Sequence, residues 1–186
     1  MTQINTPLSV QQLNTLNTQD SEKWFSQCCA APKWFKGMAQ ARPFADYKAV
    51  VQMATTAWQQ CTAPDFLIAF EAHPMIGDVS SLRKKYAATK NMASNEQQGA
   101  SEADEQCLQS LASANRQYLD KHGFIFIICA TGLSAKTMLD ALTLRLSNDT
   151  ATEITLAAAE QLKITLLRLQ KGLQNTLKEE IPHHEH

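Results

Sequence analysis

The stretch TATEITLAAAEQLKITLLRLQKGLQNTL, residues 150–177, decides the fold class of this chain. Small and aliphatic side chains recur through it at intervals of three and four residues, the spacing of one apolar face of an amphipathic α-helix. Thr150 followed by Glu153 matches a capping box at its start. We therefore predict that this is the last and longest helix of an all-helical protein. The members of the predicted face are Ile154, Ala158, Leu162, Leu166, Leu169, Leu173 and Leu177.

Helical signals recur through the first half of the chain. Ser9 with Gln12 forms a capping-box pattern that opens a short helix. Pro64 suits the first turn of a later helix, which the sequence predicts to run as far as His73. Between them lies another apolar face with helical spacing. Its members are Tyr47, Val50, Val51, Ala54, Trp58 and Cys61.

The middle of the chain gives less regular signals. Residues 74–93 predict an irregular loop segment with one short helix around Leu82 to Ala87. Two capping patterns then compete for the start of the next helix, Ser94 with Gln97 and Ser101 with Asp104. The sequence leaves the choice between them open.

The run FIFIICA at residues 124–130 interrupts the helical pattern. Its composition is that of a buried strand, but no second convincing strand is available to pair with it. We expect extended or helix-entry backbone, between a helix stop at Gly123 and a helix from Ser134 to Asn148. Backbone groups left unpaired in such a segment need partners, which a ligand could supply. An ordinary core segment fits the pattern equally well.

The bulk properties restrict the class of protein. A chain of 186 residues suits one domain, so we predict a single-domain multi-helix bundle over residues 1–178 and a flexible tail at residues 179–186. Seventeen basic and eighteen acidic residues, without a basic cluster, disfavour nucleic acid and anionic membranes as partners. The longest apolar run is too short to cross a bilayer. The first five residues lack the pattern of a secretion signal, so we expect a cytoplasmic protein.

Cysteine and histidine spacing disfavours a metal site. The five cysteines form no C-x-x-C pair, and we expect them to be reduced and mostly structural. A metal-dependent hydrolase with Glu71, His73 and Asp78 as ligands is an alternative. However, the helix-breaking Pro74 spoils a regular ligand spacing, and no H-E-x-x-H pattern exists.

The segment HPMIGD at residues 73–78, followed by SNEQ at residues 94–97, is the most informative feature for function. Pro74 disfavours helical geometry at His73, so the histidine lies at a helix end near unsatisfied carbonyls. Glu96 lies at a predicted helix start. At both places, the backbone dipoles of a helix end can adjust the proton affinity of a side chain for catalysis. The alternatives are a histidine that only satisfies a backbone carbonyl and a glutamate that only caps its helix.

Together with other motifs, these residues resemble the 2-oxo-4-hydroxy-4-carboxy-5-ureidoimidazoline (OHCU) decarboxylase family of purine catabolism. The order and spacing of the matching pieces make the resemblance specific, and the pieces extend over most of the chain. They are Cys28-Cys29 with Trp34, Arg42-Pro43-Phe44, Phe70-x-x-His73-Pro74-x-Ile76-Gly77-Asp78, Ser94-x-Glu96-Gln97, Asn115-x-x-Tyr118, Gly123-Phe124-x-Phe126-Ile127-x-Cys129-Ala130-x-Gly132, Arg145-Leu146-x-Asn148, Glu153, Glu160 and Lys163-Ile164-x-x-x-Arg168-Leu169.

The resemblance implies an all-α fold, a homodimer, and no metal or organic cofactor. It implies the loss of carbon dioxide from OHCU to give (S)-allantoin, with His73 and Glu96 as the catalytic pair. His73 would be the general acid/base, since an imidazole with its ordinary pKa of about 6.5 exchanges protons around neutral pH. Glu96 would orient the imidazole or accept hydrogen bonds from the substrate. The implied substrate-binding residues are Pro74, Ser94, Gln97, Ile128 and Arg168.

One residue departs from the family pattern. The family usually has arginine after the His-Pro pair, whereas this chain has Met75, so no role of that arginine carries over. This substitution is the one feature that favours a different class of function, a non-catalytic helical ligand-binding or interaction protein of the same fold. For Arg168, a solvated arginine on the last helix is the alternative to a role in substrate binding.

Overall fold

The computed structural model describes residues 7–74, 79–80, 82 and 98–173. Within those residues the structure contains eight helices and no strand, which confirms the predicted all-α class. One isolated bridge pairs Leu8 with Leu173. The helices are α1 (Val10–Thr15), α2 (Thr18–Cys28), α3 (Pro32–Gln40), α4 (Tyr47–Gln59), α5 (Ala63–Glu71), α6 (Gln98–His122), α7 (Ala135–Arg145) and α8 (Thr150–Gly172).

The chain divides into two compact units. Among the described residues, 7–69 and 162–173 belong to the first unit, and those between 70 and 161 belong to the second. The single domain over residues 1–178 stays a prediction, and the tail at residues 179–186 lies outside the described part of the chain. No helix in the described ranges has the length and apolar composition needed to span a membrane.

In the first unit, α2, α3 and α4 pack around aromatic side chains. Phe25 is fully buried, and its ring lies edge-on to the rings of Trp24, Trp34 and Phe44 at centroid distances of 5.1, 6.0 and 6.4 Å. The Trp34 indole donates a hydrogen bond to the Ala54 carbonyl at 2.9 Å, which satisfies its buried N–H. The packing therefore buries large rings without leaving the Trp34 donor unpaired.

Two sequence predictions in this unit are confirmed. The reciprocal capping box joins Ser9 and Gln12 through hydrogen bonds of 2.8 and 3.1 Å at the start of α1. The predicted apolar face of α4 is buried at Val50, Ala54 and Trp58. Hydrogen bonding at the helix start and spacing along the helix are local properties, and here local sequence is enough to predict both.

In the second unit, α6 and α7 pack against each other, and Tyr118 of α6 is fully buried. The Tyr118 ring contacts His122, Phe124 and Phe126 at centroid distances of 4.5, 5.7 and 5.2 Å. Gly123 ends α6 with a φ of +76°, as predicted, because glycine adopts this left-handed conformation without a Cβ penalty.

Several predicted helix ends were wrong. Helix α5 ends at Glu71 rather than at His73, since Pro74 has no N–H to continue the helix and restricts the residue before it. Helix α7 ends at Arg145 rather than at Asn148. Ser101 lies inside α6, so a helix start at Ser101 is wrong, whereas Ser94 and Gln97 lie outside the described residues.

The prediction for the last helix needs three corrections. Helix α8 has 23 residues and is shorter than α6, which has 25. Its first turn is capped by Asp149, whose Oδ1 accepts a hydrogen bond from the Thr152 N–H at 2.8 Å. Glu153 does not cap the helix but is completely buried. The buried stripe of α8 also extends beyond the predicted apolar face. Of that face, Ala158, Leu169 and Leu173 are buried, and Leu177 lies outside the described residues. The buried positions that the prediction missed are Glu153, Ala157, Gln161 and Thr165.

The cysteines agree with the structural interpretation. All five are free thiols, and Cys28, Cys29 and Cys61 are buried. Burial raises the pKa of Cys28 to about 12 and those of Cys29 and Cys61 to about 11. These three thiols therefore stay protonated at neutral pH and pack as small apolar groups.

Candidate active site

His73 follows the end of α5 and is half-buried. Its backbone N–H donates to the Phe70 carbonyl at 3.1 Å, which closes the last turn before Pro74. The histidine therefore leaves the helix at the position where the chain must change direction.

Gln161 of α8 fixes the His73 ring. The His73 Nε2 atom lies 2.6 Å from Oε1 of Gln161, and only 1% of the Gln161 residue is exposed. The sequence analysis missed Gln161, because a polar residue off the predicted apolar face carries no local signal of burial. The predicted orienting partner, Glu96, lies outside the described residues, as do Ser94 and Gln97.

Residues 125–130 form neither helix nor strand, as predicted. Two of their backbone groups are paired by side chains rather than by a ligand. Nη1 of Arg145 donates to the Ile127 carbonyl at 2.7 Å, and the Cys129 N–H donates to Oε2 of Glu160 at 2.8 Å. The half-buried Ile128 lies between these two anchors, and its own N–H and C=O have no hydrogen-bond partner among the described residues.

The Arg145 anchor is itself held by a buried carboxylate. Glu153 accepts a hydrogen bond from Nε of Arg145 at 2.8 Å and from Nδ2 of Asn148 at 2.7 Å, and it forms an ion pair with Nη2 of Arg145 at 2.7 Å. The Tyr118 hydroxyl donates a further hydrogen bond to Oε2 of Glu153. The guanidinium also lies over the Phe126 ring, 4.6 Å from its centroid. Arg145 therefore has a fixed orientation from which to hold the Ile127 carbonyl.

The charge states of this cluster follow from its hydrogen bonds. Burial opposes ionisation of Glu153, but hydrogen bonds from Arg145, Tyr118 and Asn148 outweigh burial and hold the pKa of Glu153 below its ordinary value. Burial, followed by the hydrogen bond to Glu153, raises the pKa of Tyr118. At neutral pH the cluster is thus an ion pair with a neutral tyrosine as donor.

His122 is a second histidine in this unit, and it is buried, but it belongs to the packing rather than to the candidate site. Its Nδ1 lies 3.1 Å from the Thr150 hydroxyl, and its Nε2 is buried without a hydrogen-bond partner among the described residues. Burial lowers the pKa of His122 from its ordinary value of 6.5, and the nearby carboxylates of Glu153 and Asp149 only partly oppose this.

We predict that His122 makes the fold sensitive to mild acid. Because the pKa of His122 is lowered by folding, the unfolded chain takes up its proton first as the pH falls below 6.5. The free energy of unfolding should then fall with pH by at most about 1.4 kcal/mol per pH unit, down to the pKa of the folded state. Urea unfolding between pH 8 and pH 5 measures this slope. The His122→Asn variant should lose it, and an unchanged slope in that variant would rule out His122 as its source.

Arg168 of α8 belongs to the first unit. Its Nη1 donates to the Cys28 carbonyl at 3.1 Å, and the side chain is half-buried rather than fully solvated. This contact fixes one edge of the guanidinium and leaves its other N–H groups as donors of a planar fork.

The remaining predicted site residues are placed as follows. Pro74 is exposed next to His73. Met75 and Asp78 lie outside the described residues, so the alternative set of metal ligands with Glu71 and His73 has no described third member. In the described part of the chain, no cluster of three or more histidine, cysteine, aspartate or glutamate residues is suited to hold a metal ion.

Comparison with known proteins identifies related sequences. Residues 14–170 match a family model described as OHCU decarboxylase. The chain is 35% identical over 151 residues to the uric acid degradation bifunctional protein TTL of Arabidopsis thaliana. The aligned region covers 81% of this chain and 47% of that protein. The chain thus spans about half the length of this curated relative.

Two solved structures are similar in fold. One is a crystal structure of OHCU decarboxylase in the presence of (S)-allantoin, with 35% identity and a TM-score of 0.63, covering 81% of this chain and 96% of that chain. The other is a crystal structure of (S)-allantoin synthase, with 16% identity and a TM-score of 0.66, covering 90% of this chain and 54% of that chain. At that identity the second match supports the fold alone.

Proposed function

Because this chain belongs to the OHCU decarboxylase family, we propose that it is a carboxy-lyase that converts OHCU to (S)-allantoin in urate degradation, without a cofactor. The observation that carries the proposal is the match of residues 14–170 to the family, within which His73 is presented at a helix end and bound to a buried amide. An imidazole so placed is suited to proton transfer.

The proposed reaction needs orientation and one proton. The bond between the ring carbon and the carboxylate breaks, carbon dioxide leaves, and the electron pair passes into the unsaturated ring of the substrate. A proton must then be added to one face of that ring to set the configuration of (S)-allantoin. We assign this proton transfer to His73 and propose that Glu96 assists it, by orienting the imidazole or by accepting hydrogen bonds from the substrate.

Ile128 is proposed to bind the substrate through its backbone. The anchors on either side, Arg145 to the Ile127 carbonyl and Glu160 to the Cys129 N–H, fix the segment. The N–H and C=O of Ile128 have no partner among the described residues, and they match the amide-like groups of a ureido substrate. Fixed backbone donors of this kind need no reorganisation during the reaction.

Arg168 is proposed to hold an anionic or carbonyl group of the substrate. Its contact with the Cys28 carbonyl pre-orients the guanidinium, and a planar fork of N–H donors suits a carboxylate. Pro74, Ser94 and Gln97 complete the proposed substrate contacts on the basis of family resemblance. The same resemblance leads us to propose a homodimer, which light scattering would distinguish from the monomer mass of 20.7 kDa.

The second candidate is a non-catalytic ligand-binding protein of the same fold. Met75, in place of the family's usual arginine, is the observation that favours it. If this second function were correct, the protein would bind OHCU or allantoin but would not accelerate the loss of carbon dioxide.

A chiral assay separates the two functions. OHCU is made enzymatically and supplied fresh, and the formation of (S)-allantoin is followed by circular dichroism with and without a metal chelator. We expect formation of the S enantiomer well above the spontaneous decay of OHCU, and equal rates with chelator. Decay at the spontaneous rate with racemic product would reject the proposed enzyme, and loss of activity with chelator would reject the cofactor-independent reaction.

A further inference from the structure

We propose that Gln161 is a positioning residue that selects the tautomer of His73, so that the atom that exchanges the catalytic proton is Nδ1. The role in catalysis rests on the proposed function, whereas the tautomer is a property of the protein alone. The geometry behind it is the 2.6 Å contact between His73 Nε2 and Gln161 Oε1.

The tautomer follows from the chemistry of this contact. An amide oxygen accepts hydrogen bonds and cannot donate them, so the proton in the contact must be on Nε2 of the imidazole. In the neutral ring the lone pair is then on Nδ1. A general base needs that lone pair, and a general acid delivers its proton from the same atom, so Nδ1 is the reactive nitrogen in both directions.

Gln161 is built to hold this orientation. The residue is 1% exposed and lies in the interior of the 23-residue helix α8. The residue before it in the helix, Glu160, accepts the Cys129 N–H at 2.8 Å. Two turns earlier, Glu153 ties the helix to Arg145 and Asn148. The amide therefore projects from a rigid element that is fixed on the N-terminal side of Gln161.

The same helix thereby positions both parts of the proposed site in this unit. Gln161 orients the His73 ring, while Glu160 and Glu153, the latter through Arg145, hold the backbone around Ile128. All three side chains are polar and are carried by the single element α8. This explains why the buried stripe of α8 includes glutamate and glutamine at positions where packing alone would favour aliphatic residues.

The first test reads the tautomer directly. In protein with ¹⁵N-labelled histidine and no substrate, the ring nitrogen shifts of His73 distinguish a protonated from an unprotonated nitrogen. The ring-nitrogen signals that disappear in the spectrum of the His73→Asn variant are those of His73. At alkaline pH, where the ring is neutral, we expect Nε2 protonated in the wild type and in Gln161→Glu, which keeps an oxygen acceptor. Gln161→Met removes the acceptor and should yield a mixture of tautomers. A wild-type ring protonated on Nδ1 would overturn the inference.

The second test measures the effect of losing the Gln161 acceptor on turnover. Gln161→Met should lower kcat on the order of 10- to 100-fold, the range found when a hydrogen bond that orients a metal-bound histidine is removed, with little change in KM. Gln170→Met, at an exposed position of the same helix, should leave kcat unchanged. Wild-type kcat in a folded Gln161→Met variant would overturn the positioning role. Should the wild type lack decarboxylase activity, the proposed function fails, and the NMR result still decides the tautomer.

Discussion

Replacement of His73 by asparagine is expected to lower kcat for (S)-allantoin formation by about 10²-fold or more, the usual contribution of a general acid/base. Asparagine keeps a polar side chain near the Gln161 amide but has no group that exchanges protons near neutral pH. KM should change much less than kcat, because the lost interaction acts on proton transfer rather than on binding. The circular-dichroism assay with fresh OHCU measures both constants.

The matched control is Glu71→Gln, two residues earlier at the end of α5. Glu71 is exposed, so the change removes a nearby charge without altering a buried contact, and kcat should stay within about twofold. The enantiomeric purity of the product gives a second readout. If His73 delivers the proton to one face of the ring, the residual product of His73→Asn should approach a racemate. Near-normal turnover and unchanged chirality in that variant would remove His73 from the mechanism.

The outcome for α8 shows what the spacing of apolar residues can and cannot predict. The periodicity correctly predicts a helix, because spacing by three and four is a property of one element. It misses part of the buried stripe, because Glu153 and Gln161 count as polar in any such pattern. They are buried because their partners, Arg145, Tyr118 and His73, satisfy them, and those partners are invisible to a local reading.

At the candidate site, too, the sequence predicts local structure but not the tertiary contacts. The His73-Pro74 pair indicates a helix end, and the structure has the end of α5 two residues earlier. The hydrogen-bond partner of His73 is 88 positions away in sequence, and the partner of the Cys129 N–H is 31 positions away. Tertiary contacts at these separations depend on the packing of whole helices. The resemblance to a family supplied candidate residues, whereas the contacts that orient them required the structure.

Loss of the Glu153 carboxylate is expected to cause the largest destabilisation of any single substitution considered. Glu153 has no exposed surface, and the side chain of Arg145 is only 11% exposed. Glu153→Met would leave a buried guanidinium without its counter-charge and the Tyr118 hydroxyl without its acceptor. Removal of one partner of a buried ion pair typically lowers the free energy of unfolding by about 3–5 kcal/mol. Unfolding curves of the variant and the wild type in guanidinium chloride measure the difference.

A surface ion pair provides the contrast. Asp140 pairs with Lys136 at 2.8 Å, but their side chains are 63% and 78% exposed. Asp140→Asn should therefore change the free energy of unfolding much less than Glu153→Met does, since water and salt screen the exposed pair. A loss of similar size in Asp140→Asn and Glu153→Met would contradict the argument, because burial would then have no part in the effect.

The double variant Arg145→Met with Glu153→Met separates stability from positioning. Replacing both members of a buried ion pair with apolar groups removes the unpaired charge, so the double variant should be more stable than either single variant. In the double variant, however, the Ile127 carbonyl loses its donor Arg145, and the Tyr118 hydroxyl still lacks the acceptor that Glu153 provided. We therefore expect recovered stability with reduced turnover, because Arg145 fixes the backbone around Ile128. Full turnover in a stably folded double variant would show that this anchor is dispensable.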